Sequence, residues 1–372
     1  MTGYKIPHFS LGRQYSNLRP ELIDATDKTL ASGNWIDGPN TAAFEDWLSK
    51  RCKTKYAVVT HSGTQALEII AKYYSSEIQS INKITNSLKA TVWVPNLTYP
   101  ATMNAFINSN WEVVLGEVDS NGIMKLEEIP ALNYQCVVGL YGAPPSTKFK
   151  SDGTTGMTFV DGAQHWLVAE GNVGLGMAIS FDPTKNLPSS GNGGAIVTNS
   201  LGLADFAIDY TRHGKHNEHR YAGTNSKMSE LECAHMLVRV KYINQWQERR
   251  KDIRNYWIDR FASLPVRCLS AGHEKHSDQK FVIYTEDRDQ LYIHLQDSGI
   301  ECKKHYGATL AELPVAKKAT NHNFISPGML SPGMLSTSYM LSRGVLSLPI
   351  YPELTDDEVE QISTRVINFY SK

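Results

Sequence analysis

The chain has 372 residues, 41% of them hydrophobic, enough to bury a large core and to form one large and one smaller domain. A formal charge of −1 leaves no basic footprint for nucleic acid and no acidic tail, so a small molecule is the expected partner. No apolar run approaches the roughly 18 residues of a membrane helix, and the N-terminus lacks a signal peptide's apolar core. The five cysteines, Cys52, Cys136, Cys233, Cys268 and Cys302, are odd in number and contain no CxxC pair, so a cytoplasmic protein with reduced thiols and no membrane contact is expected.

Residues Leu18 to Leu30 have helical spacing, Ser32 to Pro39 (SGNWIDGP) break it, and Thr41 to Leu48 resume a helix. Tyr56 to Thr60 reads as a strand. It leads into Ser62-Gly63-Thr64-Gln65 and a helix with Leu67, Ile70, Ala71 and Tyr74 on one face. The S-x-x-Q spacing predicts a capping box, and a strand, a glycine and a fresh helix N-terminus together form an anion site. Further apolar runs follow at Val92–Pro95, Val113–Leu115, Val137–Leu140, Met157–Val160, Met177–Phe181 and Ala195–Thr198. With the first strand these runs are mostly unalternating and interleaved with helices, which predicts an α/β fold on a mostly parallel seven-stranded sheet buried on both faces. Glu117 to Glu128 satisfies part of an EF-hand loop, but a strand precedes it and its first position is Glu, so Asn121-Gly122 is read as a turn.

Arg212 to Tyr221 is the most polar stretch. His213, His216 and His219 recur at intervals of three, yet Gly214 and the absence of apolar periodicity describe a loop, so no metal is assigned. The loop is read as solvated or as a contact to a substrate diphosphate, with His213 the candidate. A long amphipathic helix from Ser229 to about Phe261 is expected to link a domain over 1–240 to a smaller α+β domain over 241–372. The second domain would hold a strand at Phe281–Tyr284, a helix at Gln290–Gln296 and a terminal helix from Thr355, capped T-x-x-E by Glu358. The tandem SPGML repeat at Ser326 to Leu335 reads as a loop, because two Pro-Gly turns in series continue neither helix nor strand.

One constellation carries chemistry. Asp161 leaves the sheet at a strand's carboxyl end, where ligands of open α/β sheets bind. The next strand delivers Ser180 and then Lys185 from a Pro-bearing loop, and Gly191 to Gly194 turns the chain into the strand after it. A lysine that holds pyridoxal 5′-phosphate (PLP) as a Schiff base, and a carboxylate that keeps the pyridine nitrogen protonated, are what a PLP site requires. The phosphate then belongs at Ser62-Gly63-Thr64.

The runs Asp161-Gly-Ala-Gln164, Ser180-Phe-Asp-Pro-Thr-Lys185-Asn-Leu and Gly193-Gly194-Ala-Ile-Val-Thr-Asn closely resemble the DegT/DnrJ/EryC1/StrS family of PLP-dependent sugar aminotransferases. The likeness extends to Ser32-Gly-x-Trp35-Ile-x-Gly-Pro, Ser62-Gly63-Thr64-x-Ala-Leu, Thr98-Tyr99-x-Ala-Thr102, Leu140-Tyr-Gly-x-Pro144, Gly223-x-Asn225-x-Lys-Met and Gly299-Ile-x4-His305-Tyr306. It implies the PLP-dependent transferase fold type I of aspartate aminotransferase and transfer of an amino group, with glutamate as donor, to a ketone of a nucleotide-diphosphate sugar. It further implies that Tyr99 stacks on the coenzyme ring and that Gln164 lies against the ring and its phenolic oxygen. Gly63, Thr64 and Ser180 would hold the phosphate, and Asn225 would reach the partner subunit's phosphate in a homodimer with shared sites. Trp35 lies on a segment that closes over substrate, and His305 and Tyr306 are substrate-side candidates. Lys185 would serve as the proton-transfer acid and base, with a pKa far below its ordinary value.

The alternatives are a PLP-dependent sugar dehydratase, whose relatives replace this lysine with histidine, and a catalytically silent binding or regulatory homologue, which would have shed some of these residues. Gly139 stands where the family motif has histidine, Gly162 where alanine is usual, and Val160 where an acid is usual. Together with Ser226-Lys227 these departures bear on the substrate more than on the chemistry.

Overall fold

A computed structural model describes residues 4–85, 90–129, 133–145, 157–216, 218–319 and 336–371. Two helices lead, α1 (Leu11–Ala31) and α2 (Pro39–Cys52). Pro39 opens α2, where a missing N–H leaves nothing unsatisfied. The buried Glu230 carboxylate accepts from the N–H groups of Gly38, Asn40 and Thr41 at 2.9, 2.9 and 2.7 Å.

The chain then alternates through β1 (Tyr56–Thr60), α3 (Gly63–Thr85), β2 (Thr91–Pro95), α4 (Pro100–Asn108), β3 (Glu112–Gly116), β4 (Tyr134–Val138), β5 (Met157–Asp161), β6 (Gly176–Ser180) and β7 (Gly194–Thr198). These seven strands form one sheet in the order β1-β7-β6-β5-β4-β2-β3. β7 runs antiparallel to both β1 and β6, and every other pairing is parallel. The strand sequences do not alternate in polarity because both faces are covered. Val59, Val137, Val160 and Ile179 enter one core, while their neighbours Val58, Cys136, Phe159 and Ala178 enter the core on the other face. At the stretch that partly matches an EF-hand loop the chain makes the expected turn, with Asp119 accepting from the N–H groups of Asn121 and Ile123.

After β7 come α5 (Leu201–Tyr210), α6 (Glu230–Arg239) and α7 (Ile243–Phe261). The single long helix expected from Ser229 to Phe261 is therefore two. Lys241 and Tyr242 donate to Val238 and Arg239, three residues back rather than four, and the tightened turn resets the axis. The reset lets Ile243 and Trp246 join the core of the large sheet, while Ile253, Trp257 and Phe261 pack into a separate one. That second core covers a three-stranded antiparallel sheet of β8 (Arg267–Cys268), β9 (Phe281–Tyr284) and β10 (Val345–Leu348), in the order β10-β9-β8. Among the described residues four more α-helices follow, α8 (Arg288–Asp297), α9 (Pro314–Ala319), α10 (Thr337–Gly344) and α11 (Asp356–Tyr370), and Thr355 and Glu358 form the capping box expected at α11. The SPGML repeat lies outside the described residues. No described helix is long and apolar enough to cross a membrane.

Candidate active site

The carboxyl ends of β5 and β6, the start of α3 and a segment of the C-terminal half enclose a cavity of about 320 Å³. Ten of the residues expected at the site line it: Ser62, Gly63, Thr64, Tyr99, Asp161, Gln164, Ser180, Lys185, His305 and Tyr306. The sheet brings them together because β5 and β6 are parallel neighbours and β7 returns beside β1, just ahead of α3.

At one end Gly63 and Thr64, which open α3, line the cavity, and the first N–H groups of a helix have no acceptor within their own helix. The approach is close. A Cβ on Gly63 would stand 2.7 Å from the Ser180 Cβ, and one on Gly194 would stand 2.3 Å from the Ser62 carbonyl carbon. Glycine at both positions is therefore a matter of space. The Ser62 hydroxyl accepts from the Gln65 N–H at 3.1 Å, but the Gln65 Nε2 is buried without a partner. The hydroxyl half of the predicted capping box forms, and among the described residues no bond runs from the Ser62 N–H to the Gln65 side chain. With Ser180 beside it, this end suits a phosphate.

Asp161 is 6% exposed and accepts from the Thr102 hydroxyl at 2.8 Å and the Ala163 N–H at 3.1 Å. Burial raises its pKa, and Thr102, Ala163 and the charge of Lys185 offset part of that rise. Lys185 shows the opposite shift. Burial lowers its pKa against the pull of Asp161 and Asp182. The Lys185 ammonium makes no hydrogen bond or ion pair among the described residues, so acid and amine face a common space without touching. A pyridine ring with its phosphate at α3, its nitrogen at Asp161 and its reactive carbon at Lys185 matches this donor set, and the residues present fit PLP.

Gln164 is fixed from both sides. Its Oε1 accepts from the Tyr141 N–H at 2.8 Å, and its Nε2 lies 3.5 Å from the Tyr306 hydroxyl. Tyr141 sits at φ 64°, a conformation rare for a bulky residue, and its hydroxyl donates to the His305 carbonyl at 2.6 Å. One tyrosine thus couples the end of β4 to both substrate-side candidates. Tyr99 lies at the cavity wall with its ring 6.0 Å from that of Tyr306.

Three expected residues lie outside this cavity. Trp35 is 58% exposed on the segment leading to α2, and its carbonyl accepts from the Glu230 N–H. His213 and Asn225 are exposed on the loop after α5, where Asn225 pairs with Arg212 in an isolated bridge. Arg212 in turn makes a two-pronged ion pair with Asp37, tying this loop to the Trp35 segment.

Sequence reasoning missed two groups. Thr102 was read only as part of a motif, although it is the donor that orients Asp161. Lys280 also lines the cavity, 8% exposed, at the head of β9. A lysine ahead of the apolar run Phe281–Tyr284 has the appearance of a solvated strand end, and only the tertiary fold turns it inward.

The sequence matches the DegT/DnrJ/EryC1/StrS aminotransferase family over residues 16–132 and 162–367. Erythromycin biosynthesis sensory transduction protein EryC1 of Saccharopolyspora erythraea is 28% identical over 379 residues, covering 96% of this chain and 97% of that one. A dTDP-3-amino-3,4,6-trideoxy-alpha-D-glucose transaminase of Streptomyces venezuelae is 28% identical over 372 residues, covering 94% and 92%. The crystal structure of S. venezuelae DesV in complex with a ketimine intermediate superposes with a TM-score of 0.83 at 25% identity, covering 99% of each chain. The seven-stranded sheet is accordingly that of fold type I, and with its assembled site the chain belongs to the DegT/DnrJ/EryC1/StrS aminotransferase family.

Proposed function

We propose that the protein is a PLP-dependent aminotransferase that moves an amino group from L-glutamate to the ketone of a nucleotide-diphosphate sugar. The observation that carries this reading is the one cavity that joins a buried carboxylate, an unpartnered lysine and a helix N-terminus. PLP supplies the electron sink and the carbon that carries nitrogen between donor and acceptor.

The chain supplies the rest. Asp161, oriented by Thr102, holds a proton on the ring nitrogen. Lys185 would hold the coenzyme, and its Nζ would accept and return the donor's Cα proton. Burial lowers its pKa, which favours the free base this step needs. Gln164 borders the ring, and Gly63, Thr64 and Ser180 bind the phosphate. Asn225, exposed on its own chain, contributes to the site of a second copy in a homodimer, and Trp35 and His213 on the same face border the nucleotide. Lysine at 185 supports transamination over dehydration, and the completeness of the cavity supports an enzyme over a silent binding protein. Incubation with L-glutamate and a panel of nucleotide-linked 3-keto and 4-keto sugars tests the assignment. Formation of 2-oxoglutarate together with an amino sugar of the expected mass supports it, and 2-oxoglutarate with no aminated sugar moves the acceptor to another ketone.

A further inference from the structure

Lys280 is a second lysine in the cavity, and none of the chemistry above uses it. Its N–H donates to the Tyr141 carbonyl at 3.1 Å, which fixes the head of β9 against the turn after β4. The residue is 8% exposed and lines the same cavity as His305 and Tyr306. The ammonium makes no ion pair and no hydrogen bond among the described residues. A buried lysine without a partner is costly to maintain, and its cavity is the one a substrate must enter.

Its surroundings are cationic. Lys185 and Arg250 oppose its charge and Asp182 alone favours it, while the imidazoles of His8 and His305 are both held neutral, by burial first and by Lys280 next. Arg250 is committed to backbone carbonyls, donating to Ile350 at 2.6 Å. The phosphate end of the coenzyme has its own donors at α3, so Lys280 is left over for a different anion.

We propose that Lys280 is a substrate-binding residue that pairs with an oxyanion, a carboxylate or phosphate, on the amino donor or the ketone acceptor that reacts beside Lys185. This rests on the aminotransferase reading and narrows its substrate class: at least one partner carries a negative charge close to its reacting carbon. The two sources are the carboxylates of the amino donor and an anionic group on the ketosugar. Burial and the neighbouring cations lower the Lys280 pKa to about 7, so protonation and anion binding are linked and affinity falls as pH rises above that value.

The test uses the PLP-loaded enzyme and its Lys280→Met and Lys280→Arg variants. Calorimetry measures the Kd of two unreactive probes, glutarate for the donor and pyrophosphate for the acceptor, from pH 6 to 9, and PLP affinity is measured alongside. Lys280→Met is expected to weaken at least one probe tenfold or more with PLP affinity unchanged and Lys280→Arg intermediate. The fall in that probe's affinity above about pH 7, beyond what the probe's own ionisation causes, is expected to disappear in Lys280→Met. Loss of glutarate alone assigns the anion to the donor, and loss of pyrophosphate alone assigns it to the sugar. Unchanged Kd values for both probes, or a loss of PLP affinity in place of probe affinity, would overturn the proposal. Because binding is read without turnover, these outcomes remain separate from whether the wild-type enzyme accepts an amino group from glutamate.

Discussion

A Cβ placed on Gly139 would stand 2.1 Å from both Cγ and Nδ1 of His165, so the His165 ring fills the space beside a glycine that replaces the family's histidine. His165 is buried, its Nδ1 has no partner, and burial lowers its pKa to about 4, so the ring is neutral packing. Gly162 makes a similar exchange with Met177, whose Cγ would lie 2.6 Å from an added Cβ. Both departures from the family pattern are therefore paired with a larger neighbour.

Overpacking is expected to destabilise Gly139→Ala by about 1–3 kcal/mol. Combining it with His165→Ala opens the space and should recover part of that loss, a coupling that a double-mutant cycle in denaturant measures. Additive losses would show that the two positions do not share the volume.

Glu230 holds the start of α2 through three N–H groups, one of them on the Trp35 side of the helix. Burial alone would raise its pKa, but the donors at Thr41, Asn40 and Gly38 outweigh burial and leave it lowered. A carboxylate with a lowered folded-state pKa stabilises above its unfolded value near 4.5 and loses that contribution as pH falls through the folded one. Glu230→Gln is expected to cost about 2 kcal/mol at pH 7, and its deficit against wild type should shrink below about pH 4.5. Urea unfolding at several pH values measures both.

The Thr102 hydroxyl donates to Asp161, and its only other hydrogen-bonding neighbour among the described residues is the Thr98 hydroxyl, 3.4 Å away. Asp161→Asn should retain the phosphate contacts yet slow the glutamate half-reaction by about 10²-fold or more, since the ring nitrogen loses its charged partner. Thr102→Val should slow it less and shift its pH dependence upward, because the Asp161 pKa rises further without its hydroxyl donor. Stopped-flow spectra across pH distinguish this positioning role from a loss of folding.

The proposed sharing of sites between two copies predicts complementation. In a mixed dimer of Lys185→Ala and Asn225→Ala chains, one site carries both lesions and the other carries neither. Random reassembly of equal amounts should restore about a quarter of wild-type activity, half of the dimers being mixed with one intact site each. No recovery, with mixed dimers verified by mass, would place Asn225 outside the partner's site.

All seven strands of the large sheet were legible as apolar runs, because burial on both faces removes the ambiguity of alternation. The cavity wall was legible where motif and strand end coincide, at Ser62, Gly63, Asp161, Ser180 and Lys185. What escaped depends on contacts distant in sequence. Lys280 is turned inward by the Tyr141 carbonyl, about 140 residues upstream. Glu230 has the appearance of an ordinary first-turn acid of α6 until α2 is seen to start on it. The break between α6 and α7 carries no glycine or proline, and it follows from which core Ile243 and Trp246 must reach.

The most direct test is the visible spectrum of the protein with PLP, before and after L-glutamate, beside Lys185→Ala. The predicted result is a yellow band with Lys185 present, absent from the variant, that glutamate bleaches and a suitable ketosugar restores. A wild-type protein that forms no such band, or a variant that forms the same one, would contradict the assignment of Lys185 as the residue that holds the coenzyme.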